Sequence, residues 1–129
     1  MSESNLYKQF KNSWIPGYIQ RYESSGVGSG TPDVHLVNDK QNDIFIELKY
    51  EKKPFRAKKL KIRESQIIWF IRYKGRFAYF LYKVDKTFYL FEKEKVFILK
   101  DKINWKLFEE CSLLITKQIK EIIKYLKNI

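Results

Sequence analysis

Apolar residues recur first at helical spacing. Leu6, Phe10 and Trp14 stand at i, i+4 and i+8 within Asn5–Trp14, which predicts a short amphipathic helix stopped by Pro16-Gly17. Alternation with period two then takes over. Tyr18–Glu23, Asp33–Asn38 and Asp43–Tyr50 read as strands, the last two joined through a polar hairpin turn at Asp39-Lys40-Gln41-Asn42. Helical spacing returns from Ile62 or Arg63 to Lys74, with Ile67, Phe70 and Ile71 as the expected buried stripe and Gln66, Trp69 and Tyr73 on the adjoining face; Gly75 ends it. Phe77–Val84 and Phe88–Phe91 are aromatic-rich strands around Asp85-Lys86, and Val96–Leu99 reads as one more edge strand. Phe108, Cys111, Ile115, Ile119, Ile122 and Leu126 then predict one helix from about Trp105 to Lys127. The sum is a single α/β domain over residues 1–129, a mixed sheet of about five strands flanked by helices, plus a C-terminal helix.

Composition adds limits. A chain of 129 residues with 44% hydrophobic and 17% aromatic residues can bury a modest core and is not disordered. No apolar run is long enough for a membrane span, and Met1–Asn5 has no signal-peptide character, so an intracellular protein without a membrane partner is expected. The one cysteine, Cys111, excludes an internal disulfide and a Cys-rich zinc site; its apolar setting marks it as a buried structural thiol.

Charge changes the picture more. Lys and Arg number 26 against 15 Asp and Glu, a net +11. Twelve basic residues and two acids fall between Lys49 and Lys83, so that segment holds nearly all of the excess. Its first part, Glu51–Lys61, is too basic and irregular for core and is expected to be a mobile, substrate-facing loop. Lys52, Lys53, Arg56, Lys58, Lys59, Lys61 and Arg63 make it a candidate polyanion-binding surface. Before it, Ser24–Thr31 carries three of the five glycines without the Gly-Lys-Ser/Thr of a Walker loop; it reads as a flexible connection whose serines and amides can also lie against phosphate.

Between the glycines and the basic run lie Pro32-Asp33 and Glu47-Leu48-Lys49. On a strand Glu47 and Lys49 share a face about 7 Å apart, and Asp33 can join them from the neighbouring strand at about 5 Å. Two carboxylates and a lysine suit phosphodiester hydrolysis. Asp33 and Glu47, with the backbone carbonyl of Leu48, offer the oxygen ligands that Mg²⁺ or Mn²⁺ takes, and Lys49 can orient water or balance phosphate charge. A Glu-X-Lys strand is also common on ordinary solvated sheets; the upstream aspartate and the adjoining positive segment favour the chemical reading.

The run Gly30-Thr31-Pro32-Asp33-Val34-His35-Leu36, then Phe45-Ile46-Glu47-Leu48-Lys49, then Ser65-Gln66-Ile67-Ile68-Trp69-Phe70, resembles the PD-(D/E)XK nuclease superfamily, in particular its Holliday junction resolvase-like and phage VRR-NUC branches. The resemblance covers about residues 18–84 and implies a restriction-endonuclease-like core. It implies a site-bordering role for Gln66, and phosphate contact by Arg21 with Ser24 and Ser25. Those resolvases carry a further acid on their first helix; Asn5–Trp14 has none and Glu3 reads as a frayed terminus, so Glu23 is the expected replacement as catalytic and metal-binding acid. His35 shares the Asp33 face and is expected to be a neutral, hydrogen-bonded side chain.

The resulting expectation is a Mg²⁺-dependent endodeoxyribonuclease (with Mn²⁺ able to substitute) that resolves four-way DNA junctions as a homodimer. The alternatives are a flap- or end-specific nuclease or nickase of a phage or mobile element, and a DNA-binding module of this fold without catalysis.

Overall fold

The computed structural model describes residues 3–22 and 30–129. Six strands form one twisted sheet in the order β1 (Tyr18–Arg21), β2 (Val34–Val37), β3 (Asp43–Glu51), β5 (Phe77–Val84), β6 (Thr87–Glu92) and β8 (Leu114–Thr116). A short separate pair joins β4 (Ala57–Lys58) to β7 (Ile103–Asn104). Neighbours in the main sheet run antiparallel except β3 and β5, which are parallel and connected through helix α2 (Glu64–Arg72). A parallel pair needs such a crossover, and it sets α2 against the face on which odd-numbered β3 residues stand.

Both sheet faces are covered. On one, α1 (Glu3–Trp14) contributes Leu6, Phe10 and Trp14, and α5 (Ile119–Lys127) contributes Ile122, Ile123 and Leu126, packed over Val34, Leu36, Ile44, Ile46, Leu48 and Leu81. On the other, Phe70 of α2 stacks on Phe80 at 4.1 Å, while α3 (Val96–Leu99) and α4 (Trp105–Cys111) cover Tyr82, Tyr89 and Phe91. Strand β5 is buried on both sides, which explains its apolar and aromatic composition, interrupted only by Lys83. Among the described residues no helix is long and apolar enough to cross a membrane.

Four expectations are corrected. Val96–Leu99 is helical rather than an edge strand: Val96 and Leu99, three apart, both reach the core, a spacing a strand cannot deliver to one face. The expected helix from Trp105 to Lys127 is three elements, α4, β8 and α5. Ser112 ends α4, and Leu113 N–H is captured by the Leu90 carbonyl at 2.7 Å, so Leu114–Thr116 extends the sheet and Ile115 turns outward, 44% exposed. In α2 the buried positions are Gln66 and Phe70, while Ile71 faces solvent. Residues 51–61 are not a mobile loop. β4 pairs with β7, Leu60 is buried, and Phe55 packs edge-on against Trp105 and Phe108.

The first helix begins at Glu3, earlier than the apolar pattern indicates. The β2–β3 turn is as expected: Gln41 has φ 64°, and Asn38 Oδ1 accepts from Lys40 N–H and Asn42 N–H.

Candidate active site

Register places the acids. Val34 pairs with Ile46 across the antiparallel β2–β3 ladder, so Asp33, one residue before β2, falls opposite Glu47. Asp33 N–H donates to Glu47 Oε1 at 3.2 Å, and Leu48 N–H donates to Asp33 Oδ2 at 3.0 Å. These bonds lock the Pro-Asp corner against the Glu-Leu-Lys strand. Lys49 points to the same side as Glu47, with Nζ 3.3 Å from Glu47 Oε2. The strand periodicity therefore delivers the three side chains to one place.

Gln66 joins that place to α2. Its Nε2 donates to Glu47 Oε2 at 2.7 Å, and its Oε1 accepts from Arg63 N–H at 3.1 Å and from Lys49 Nζ at 3.3 Å. The same side chain thus caps the helix start and holds both Glu47 and Lys49; it is itself buried. Gly30 sets the approach of the Pro-Asp segment to that helix. With φ +79°, it packs against the Ser65 carbonyl, where a Cβ would collide with backbone.

The electrostatics are those of crowded, partly dehydrated carboxylates. Burial and then the Asp33 charge push the Glu47 pKa up to about 8, with Lys49 pulling the other way. Asp33 is also raised, by burial, against the opposing pull of the Leu48 N–H, Lys49 and Arg21. Two acids with one nearby ammonium make a site short of positive charge. That donor set fits a divalent cation, which would permit both carboxylates to ionise. Among the described residues no cluster of three or more His, Cys, Asp or Glu forms a ready-made metal centre, so any cation would draw on backbone or water oxygens as well.

Glu3, set aside in the sequence as a frayed end, comes to this site. It occupies the first turn of α1, and its carboxyl lies in the fields of Lys49, Asp33, Arg21 and Lys61. Partial burial is the largest influence on it and raises its pKa. The first helix therefore does bring an acid to the rim. The signal was present as a helix that could extend one turn N-terminally. Glu23, Ser24 and Ser25 lie outside the described residues. Arg21, exposed at the end of β1, sits over the Tyr7 ring at 4.8 Å and projects its charge onto Asp33 and Glu3. His35 Nε2 bonds Asp43 Oδ1 at 2.8 Å and its ring stacks on Phe45 at 4.6 Å, an engagement directed away from Asp33.

Of the basic candidates, Lys52, Lys53, Arg56, Lys59, Lys61 and Arg63 are exposed along the segment that leads from β3 to α2. Lys58 is half-buried and paired with Glu51 Oε2 at 2.9 Å. Sequence reasoning had passed over Glu51, which continues the Glu47–Lys49 row on the same face of β3.

No protein-family model and no curated protein matches this sequence. A solved structure does match: the Holliday junction resolvase Hjc of the archaeal hyperthermophile Archaeoglobus fulgidus, with a TM-score of 0.58 and 18% identity over 95% of this chain and 96% of that one. The likeness extends across nearly the whole of both chains, including the C-terminal elements beyond the motif region, and establishes the fold.

Proposed function

Proceeding from a chain with the PD-(D/E)XK nuclease fold, we propose that this protein is a Mg²⁺-dependent structure-specific endodeoxyribonuclease, a Holliday junction resolvase acting as a homodimer on four-way DNA. The observation that carries the reading is the joined constellation of Asp33, Glu47, Lys49 and Gln66 beside a row of exposed cations. A solved structure with this fold is that of a Holliday junction resolvase.

Asp33, Glu47 and the Leu48 carbonyl would hold Mg²⁺, with Glu3 as the acid available from the first helix and Glu23 as the other candidate. The cation, when bound, supplies water acidification and neutralisation of phosphate charge. The remaining work falls to the chain. Lys49 Nζ is held by Glu47 and Gln66, which fixes its positive charge beside the acids, where it can face a phosphate oxygen. Water oxygen bonds to phosphorus and gives up its proton to solvent as the bond to the leaving sugar oxygen breaks. That oxygen takes up a proton from solvent, and Lys49 counters the charge that develops on the phosphoryl oxygens. Gln66 keeps Glu47 oriented throughout. Lys52, Lys53, Arg56, Lys59, Lys61 and Arg63 grip the backbone without reading bases, so recognition rests on branched shape and charge. Two symmetric incisions call for two such sites, which a C2 dimer provides.

The test is incubation of purified protein with a labelled four-way junction, with and without Mg²⁺, against excess duplex. Paired symmetric nicks across the crossover are expected, abolished by Asp33→Asn or Glu47→Gln with junction binding retained. Undiminished Mg²⁺-dependent cleavage by Glu47→Gln protein would sink the assignment.

A further inference from the structure

Behind the catalytic row lies a polar group that the chemistry above does not use. Tyr82 of β5 is paired in register with Lys49 of β3, so the two side chains stand on the same sheet face in adjacent strands. Tyr82 is 1% exposed, and its hydroxyl oxygen is fully buried with no hydrogen-bond partner among the protein groups described. Its ring is clamped edge-on by Phe91 at 5.7 Å and Phe108 at 5.4 Å, which leaves the hydroxyl little freedom to seek a partner elsewhere.

Buried polar groups in folded proteins are nearly always satisfied, and an exception calls for an explanation. A phenylalanine in this slot would keep all the ring contacts and avoid the cost of a stranded hydroxyl. The surroundings indicate what the hydroxyl is for. Besides burial, the influences on its acidity are the carboxylates of Glu51, Glu47 and Glu3, in that order, and together they raise its pKa well above the ordinary phenol value. A phenol held among carboxylates stays protonated and is a hydrogen-bond donor. Glu51 has one defined side-chain partner, Lys58, at 2.9 Å from Oε2. Lys49 Nζ has two long contacts, each 3.3 Å, and three protons.

We propose that Tyr82 is a positioning residue for Lys49, acting through a buried water shared by the Tyr82 hydroxyl, the Glu51 carboxylate and the Lys49 ammonium. The hydroxyl donates to the water, the water donates to Glu51, and Lys49 donates its third proton to the water. The arrangement also ties the basic segment to the site, because Glu51 is the group that holds Lys58. Substrate phosphates gripped by that segment and the lysine that faces the scissile phosphate would then be fixed by the same carboxylate. This inference rests on the reading of Lys49 as part of a nuclease site, but its structural core can be tested apart from cleavage.

The experiment compares wild type, Tyr82→Phe and Glu51→Gln. Lysine side chains are labelled with ¹³C at Cε, and the Lys49 signal is assigned by its loss in Lys49→Arg protein. Urea denaturation and single-turnover cleavage of a four-way junction in Mg²⁺ accompany the spectra. Tyr82→Phe should move the Lys49 resonance toward those of exposed lysines and lower turnover about tenfold or more, with junction affinity unchanged. Glu51→Gln should move the same resonance. An unmoved Lys49 signal in Tyr82→Phe, with a higher urea midpoint and unchanged turnover, would show that the hydroxyl is merely stranded and overturn the proposal. A Lys49 signal moved by Tyr82→Phe, where the wild-type protein cuts no junction, would support the positioning role while removing the resolvase reading.

Discussion

Replacing Glu47 by glutamine tests the electrostatic account of the site without reference to catalysis. In the folded, metal-free chain the Glu47 carboxyl is raised to about 8, from 4.5 in an open chain. The cost of ionising it in place is on the order of 5 kcal/mol. The folded state therefore keeps a proton that the unfolded state gives up. That contribution to stability is complete below about pH 4.5 and is lost as pH rises through about 8. Between pH 7 and pH 9 wild-type stability should fall by on the order of 1 kcal/mol relative to Glu47→Gln, since over that window only the folded chain releases the proton. Glutamine retains an oxygen to accept the 2.7 Å bond from Gln66 Nε2 and carries no charge to ionise. Urea unfolding of both proteins in EDTA, at pH 5, 7 and 9, gives the difference directly. A wild-type minus variant difference that stays constant from pH 5 to pH 9 would refute the reasoning. Added Mg²⁺ should reverse the wild-type loss at pH 9 and leave Glu47→Gln unaffected, because binding to the folded state stabilises it by mass action.

Three further outcomes are expected. Gly30→Ala should cost about 2 kcal/mol or more and impair cleavage, since it combines a positive φ with a collision at the Ser65 carbonyl; thermal unfolding and junction nicking measure both effects. Simultaneous alanine substitution of Lys52, Lys53 and Arg56 should weaken junction binding and flatten its dependence on log salt by about 0.9 per lost phosphate contact, which a KCl titration of affinity reads; an unchanged slope would remove these residues from the interface. Phe108→Ala should destabilise by about 3–5 kcal/mol in urea, because Phe108 packs against Phe55, Tyr82, Tyr89, Phe91 and Trp105 and so pins the basic segment as well as α4.

Local pattern carried most of the site. Alternation along Asp43–Glu51 is enough to put Glu47 and Lys49 on one face, and a hairpin-length turn is enough to bring Asp33 opposite them. Gln66 was indicated only by the motif resemblance; its position three residues beyond the N-cap Arg63, from which its side chain turns back to the helix start, came from the structure. The C-terminal third was not legible, because Cys111, Ile115 and Ile119 fall at helical spacing by coincidence. What separates them into α4, β8 and α5 is the open edge of β6, which offers Leu113–Thr116 backbone partners that no local period encodes. Glu3 was misjudged for a related reason: whether a helix end frays depends on its surroundings, and here its carboxyl lies in the fields of Lys49, Arg21 and Lys61.

By itself, then, the sequence determined the period of each central element, the concentration of positive charge after β3, and the pairing of two acids with a lysine. These follow from short-range geometry, where side-chain direction repeats every two or every 3.6 residues. Tertiary structure alone decided how deeply the acids are buried, that the basic segment is anchored by β4–β7 pairing and Phe55, that Tyr82 falls in register with Lys49, and that Glu3 lies in the fields of Lys49 and Asp33. Those relations join residues distant in the chain through a parallel β3–β5 pairing and helices on both faces. Dehydration and long-range register are properties of the packed layers, and the chemistry of the site depends on both.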